Sequence, residues 1–151
     1  MTVAVRWLAL GIAAAMSLQA SSLFAAEEPI KADPDDLALV ARGKAVYDQH
    51  CASCHGAKLE GQPNWRKPLP NGKWPAPPHD PTGHTWHHSD RVLFKVTKYG
   101  MQDIVPDRDT DMPGFKDILS DAAIWAVLSY IESTWPPEIR ARQQRMNAGK
   151  Q

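Results

Sequence analysis

Apolar residues recur at helical spacing in three stretches of the chain, and between them the periodicity lapses. In the first stretch, Leu37, Val40, Ala41, Val46 and Tyr47 predict a helix with a broad apolar face. Asp33 is suited to cap it, Pro34 to occupy its first position, and Asp35 and Asp36 to complement its dipole. Gly43 sits inside this helix at a cost of about 1 kcal/mol relative to alanine, which predicts that another group passes close to its backbone. Ser89 opens the second stretch, with Val92, Leu93, Val96 and Tyr99 in step and Gly100 as the stop. Ser120 opens the third, where Ile124, Val127, Leu128 and Ile131 form a stripe that Trp125 and Tyr130 widen, until Pro136-Pro137 ends it. No alternating strand pattern and no internal repeat interrupts this reading, so the expected fold is all-α.

The intervening segments differ in texture. From Gly56 to Ser89, seven prolines and four glycines forbid long regular elements. A loop of that length in a small domain calls for a surface to pack on, and Trp65, Trp74 and Trp86 are the rings available to cover one. A second, acidic loop runs from Asp103 to Asp111 and ends in Met112-Pro113-Gly114-Phe115. Residues 136–151 form a basic polar tail, compatible with a short surface helix or a frayed end. At the other terminus, Arg6, an apolar run from Trp7 to Met16 and small residues up to Ala25-Ala26 have the plan of a secretory signal. The run is about half of the ~20 residues needed to span a bilayer. The expected organisation is a cleaved signal over 1–26, one domain over 27–135 with its core at about 37–135, and the tail.

Composition adds little to that picture. Loss of residues 1–26 would leave 16 basic and 17 acidic side chains, a balance that selects neither nucleic acid nor an anionic membrane surface. The chain has two cysteines, and both fall in Cys51-Ala52-Ser53-Cys54-His55. Two thiols two residues apart, followed at once by histidine, form the attachment signature of a c-type haem: the thiols bond the two vinyl groups on one haem edge and the imidazole reaches the iron. A thioredoxin-like pair would want a βαβ setting that is absent. A zinc finger would want its histidines about half as far from Cys54 as His84 and His88 lie.

Iron held by His55 alone would be open, so the sixth position decides the chemistry. Met112 is the expected ligand, because a neutral thioether favours ferrous iron and Pro113 stiffens the loop presenting it. Met101 is the main competitor, and Met146 lies in the polar tail. His79, His84, His87 and His88 crowd one loop, a composition that can bind a transition metal or serve as surface and propionate contacts.

Cys51 to Gly56, Met112 to Phe115 and the helix around Ile124 to Ile131 together resemble a class I c-type cytochrome of the bacterial monohaem kind. The resemblance covers roughly residues 37–135. It implies a single covalent haem c, a crossing of the first and last helices with Gly43 and Tyr47 against Val127 and Tyr130, and a proline carbonyl that orients His55. Pro68 is the expected match for that proline. The 62–89 insert exceeds the shorter members of the family.

The function expected from these residues is that of a periplasmic one-electron carrier and not an enzyme, docking transiently on redox partner proteins and without stable membrane insertion once the signal is removed. Lys58, Arg66, Lys67 and Lys73 are the candidate rim charges. The alternative is a haem enzyme, gas-binding sensor or haem subunit of a larger oxidoreductase, with a labile sixth ligand.

Overall fold

A computed structural model describes residues 31–149; the expected signal segment lies outside the described residues. Among the described residues six helices follow one another: α1 (Leu37–His50), α2 (Ala52–His55), α3 (Asp90–Tyr99), α4 (Met101–Ile104), α5 (Asp121–Ser133) and α6 (Pro137–Ala148), with a 3-10 turn at Thr85–His87. Among the described residues, extended pairing is confined to an isolated bridge between Trp74 and Thr110. The fold is all-α.

α1 starts later than the prolines and acids of its leader suggest. The Asp36 carboxylate accepts from the Ala38 and Leu39 amides and is the cap, whereas Asp33 accepts from Asp35 and donates its own amide to Ser129 Oγ at 2.9 Å. That start places Leu39, Gly43 and Tyr47 on the buried face. At 100° per residue, Leu37 and Ala41 are roughly 160° away from Leu39, and both are exposed rather than on the expected apolar face.

Gly43 explains itself at the crossing of α1 with α5. A Cβ there would run into the Ala126 carbonyl and stand 2.9 Å from Tyr130 Cβ, so the backbones meet where no side chain fits. One turn on, Tyr47 is fully buried with its ring 5.4 Å from Tyr130, and its hydroxyl donates to the Gly56 carbonyl at 2.9 Å. α5 is buried on several sides. Ile124 and Leu128 pack with Phe115, Leu119, Leu93 and Phe94, and Val127 and Ile131 pack with Tyr47, Leu59 and Trp135. Its start is as expected, Ser120 Oγ accepting from the Ala123 amide.

α3 departs from expectation at its cap. The Ser89 hydroxyl is buried without a partner, and the first amide of α3, that of Asp90, donates instead to Asn147 Oδ1 at 2.9 Å. The polar tail is therefore a docked helix: Gln143, almost wholly buried, donates to the Asp90 carboxylate, and the Arg142 guanidinium lies 4.9 Å from the Trp86 ring centre. Beside this cluster, Glu132 is only 4% exposed. Burial, then the nearby Asp90 and Asp33, push its carboxyl up to about 9, so it stays protonated at neutral pH.

The proline-rich insert is ordered by backbone bonds. The Gln62 amide donates to Ala76 and those of His79 and Asp80 to Leu59, and the Trp135 indole donates to the His79 carbonyl at 2.8 Å. The insert is thus tied to Leu59, just after α2, and to Trp135, between α5 and α6.

Two outcomes test this packing. Gly43→Ala should destabilise the fold by roughly 3 kcal/mol in urea unfolding, because the two backbones must separate. Glu132 binds its proton to about pH 9 when folded and to about 4.5 when unfolded, so stability should fall as pH rises between those values. Glu132→Gln should flatten that slope and gain roughly 3 kcal/mol at neutral pH, read from unfolding curves at about pH 4 and pH 8.

Candidate cofactor site

The end of α1 hands the chain to the motif. Cys51 is the last turn of α1, its amide donating to Tyr47 at 2.8 Å, and Cys54 and His55 follow within the one-turn helix α2, both amides returning to the Cys51 carbonyl. Gly56 ends it at φ +82, where the Tyr47 hydroxyl holds the carbonyl. Two thiols and an imidazole are thereby presented from one corner, and both cysteines are free of disulfide. Burial and the neighbouring Cys54 push the Cys51 thiol up to about 11, so it is a neutral thiol at physiological pH.

His55 is buried and points into a cavity of about 290 Å³. Its Nδ1–H donates to the Pro77 carbonyl at 2.8 Å. That corrects the expectation for Pro68: Leu69 is tied to Lys73 and Gly72 in a separate turn, while the positive φ of Gly61 lets Pro77-Pro78 fold back against the motif. Burial lowers the His55 pKa, opposed by the bond to Pro77. With Nδ1 engaged and the ring neutral, the Nε2 lone pair is free for a metal.

His79 stacks on His55, centroids 4.0 Å apart and planes at 25°. Its Nδ1 is bonded to Thr85 Oγ1 at 2.8 Å, and burial holds it well below the ordinary histidine range. The site therefore has a second, neutral imidazole behind the first. Nothing in the sequence distinguishes His79 from the other loop histidines. Among the described residues, no three His, Cys, Asp or Glu side chains form a metal-sized group. His84 stacks on Trp65, His87 on Trp86, and His88 stands edge-on to His84.

Two methionines share the cavity with the motif. Met101 and Met112 both line it, together with Val92, Leu93, Val96 and Val127. The Met112 segment is fixed on both sides: its amide meets Thr110 Oγ1 at 3.3 Å, and Phe115 donates to the Thr97 carbonyl at 3.0 Å. Gly114 permits this, since a Cβ there would lie 2.7 Å from Tyr99 backbone atoms. Of the three insert tryptophans, Trp74 borders the main cavity, Trp65 borders a small adjoining one, and Trp86 borders neither.

The donor set fits a covalently held haem. Two thiols, one oriented imidazole and two thioethers surround a cavity walled mainly by aliphatic side chains. Of the candidate rim charges, Lys73 pairs with Asp111 and Arg66 lies over the Trp65 ring, while Lys58 and Lys67 are exposed.

Comparison with known proteins agrees with this geometry. The family model for cytochrome c matches residues 40–135. The chain is 29% identical over 105 residues to the cbb3-type cytochrome c oxidase subunit CcoP of Rhodobacter capsulatus, covering 69% of this chain and 32% of that one. To the CcoP of Azospirillum brasilense it is 30% identical over 98 residues, 65% of this chain and 29% of the relative. To cytochrome c-555 of Prosthecochloris aestuarii it is 34% identical over 80 residues, 49% of this chain and 80% of the relative. The chain spans about a third of the CcoP subunits it matches. No solved structure matches it significantly. Motif, cavity and family match converge on one statement: this chain belongs to the cytochrome c family, whose chemistry is haem-based electron transfer.

Proposed function

We propose that the protein is a periplasmic carrier of single electrons in which Cys51 and Cys54 would hold one haem c covalently and His55 and Met112 would bind its iron. The observation that carries the reading is that the oriented His55 and the anchored Met112 segment face one cavity whose corner bears both thiols. The haem would supply a ferric–ferrous couple. The chain's own residues do the rest. The Pro77 carbonyl fixes the His55 ring, the bonds from Met112 and Phe115 fix the loop that presents the thioether, and Val92, Leu93, Val127 and Leu128 exclude water from the cavity. Ligands held on both sides move little when the charge changes, which favours fast transfer.

Met112 is preferred to Met101 because Met101 also lines the small side cavity between Trp65, Trp74 and Arg108, where it serves as packing. Leu69 and Val105 line the main cavity and are exposed. They give the cavity an exposed apolar rim, the kind of small contact that suits transient redox partners. The periplasmic location rests on the signal-like residues 1–26 and on the thioether chemistry. Among the described residues, no helix is long and apolar enough to cross a membrane.

A second reading has its own support: two of the relatives are subunits of cbb3-type oxidases, so the domain is alternatively a haem module docked on a larger oxidoreductase. Purification from the native host separates the two, since a free carrier elutes alone and a module elutes with its enzyme.

The ligand set is tested by spectroscopy of the haem-loaded oxidised protein. Met112→Ala should abolish the weak far-red band of methionine–iron charge transfer and open the iron to carbon monoxide when reduced; Met101→Ala should keep the band. A band that survives Met112→Ala refutes the assignment.

A further inference from the structure

Residues 77–79 hold His55 by two contacts, and the two restrain different motions. The Pro77 carbonyl accepts from His55 Nδ1–H at 2.8 Å, which fixes the tautomer. Two residues on, the His79 ring lies over the His55 ring, centroids 4.0 Å apart and planes at 25°. The torsion that turns an imidazole about its Cβ–Cγ bond is soft. Nδ1 lies close to the line through Nε2 and the ring centre, so a bond there has a short lever against rotation about that line. A flat group laid over the whole ring face has a long one.

The His79 ring is itself held from several directions. Its amide donates to the Leu59 carbonyl at 2.8 Å and its carbonyl accepts from the Trp135 indole at 2.8 Å. Its Nδ1 is bonded to Thr85 Oγ1 at 2.8 Å. The buried Thr85 hydroxyl has the Pro78 carbonyl as its own acceptor at 3.4 Å. It therefore receives from His79, whose ring proton sits on Nδ1. The Tyr47 ring stands edge-on to His79, 6.3 Å away and at 75°. These partners come from α1, from the turn after α2, from the insert and from the joint between α5 and α6.

Such convergence goes beyond what packing requires. An aliphatic side chain at 79 would fill the same space against Tyr47. The imidazole adds a flat face toward His55 and, through Thr85, a pin that keeps that face from turning. Resting on the haem reading above, we propose that His79 is a positioning residue for the iron ligand: its stacked ring sets the plane in which the His55 imidazole would meet the iron. The Pro77 bond tunes how strongly His55 donates, and the stack decides which way the ring faces. In ferric haem the plane of an axial imidazole governs how unpaired spin is shared among the four pyrroles, and hence the shifts of the haem methyl protons. A residue that served stability alone would leave those shifts in place.

The test is proton magnetic resonance of the haem-loaded ferric protein. In His79→Ala the haem methyl resonances should change in order or spread while the visible absorption stays that of wild type. His79→Phe should restore the wild-type pattern, because a flat ring still lies between His55 and Tyr47. An unchanged pattern in His79→Ala overturns the proposal, and so does a pattern in His79→Phe that matches His79→Ala. Should His79→Ala fail to mature, the reduced wild-type protein decides: nuclear Overhauser contacts should join the ring protons of His55 and His79, and their absence overturns the stack. Covalent haem is read separately, from a pyridine haemochrome spectrum of wild type. Its absence refutes the haem reading itself, whereas covalent haem with methyl shifts indifferent to residue 79 refutes only the positioning role.

Discussion

The close passage of α1 over α5 at Gly43 is the constraint on which the rest depends. With no side chain between the two backbones, the Ala126 carbonyl and Tyr130 Cβ come up against α1 itself. That approach fixes where α1 ends, and therefore where Cys51 begins. Tyr47, one turn beyond the contact, converts the packing into a polar anchor through its bond to Gly56. The motif is aimed by a glycine two turns before it. Tertiary packing here recovers more than the propensity cost of the glycine.

The insert is the second frame. It wraps from Gly56 to α3, bonds His55 through Pro77, places His79 behind His55, and is held at its far end by Trp135 and by α6. The polar tail helix is therefore structural. Asn147 and Gln143 satisfy the start of α3 where Ser89 does not, and Arg142 covers Trp86. Backbone bonds supply most of this order, which is how a segment with so many prolines and glycines can wall a site without regular structure.

Much of this was legible in the residues, and the boundary is physical. Helices α1, α3 and α5, a close approach at Gly43 and the cap at Ser120 follow from periodicity and local chemistry, which act over a few residues, while the partner that crosses at Gly43 came from the family resemblance. Cys51, Cys54 and His55 were legible for the same reason, being contiguous. The cap of α3 was not, because it comes from Asn147 on another helix. Neither was the docking of α6, whose apolar residues are few and fall into no continuous stripe, and whose buried contact is made by the polar Gln143. Pro77 and His79 depend on how a long loop closes. Several prolines offer the same carbonyl, and only the turn at Gly61 and the bonds from Leu59 select among them.

The contact between His55 and residue 77 has a consequence for how such a site changes over evolutionary time. The acceptor is a main-chain oxygen, a group that every amino acid possesses. What selection must hold at this position is therefore a path of the chain, kept by Gly61 and by the closure of the loop, and not the identity of a side chain. Substitutions at 77 that preserve the path leave the imidazole oriented, while a single inserted residue between 61 and 77 shifts the carbonyl off the ring. At position 77 itself composition is free, and the length of the loop between 61 and 77 is not.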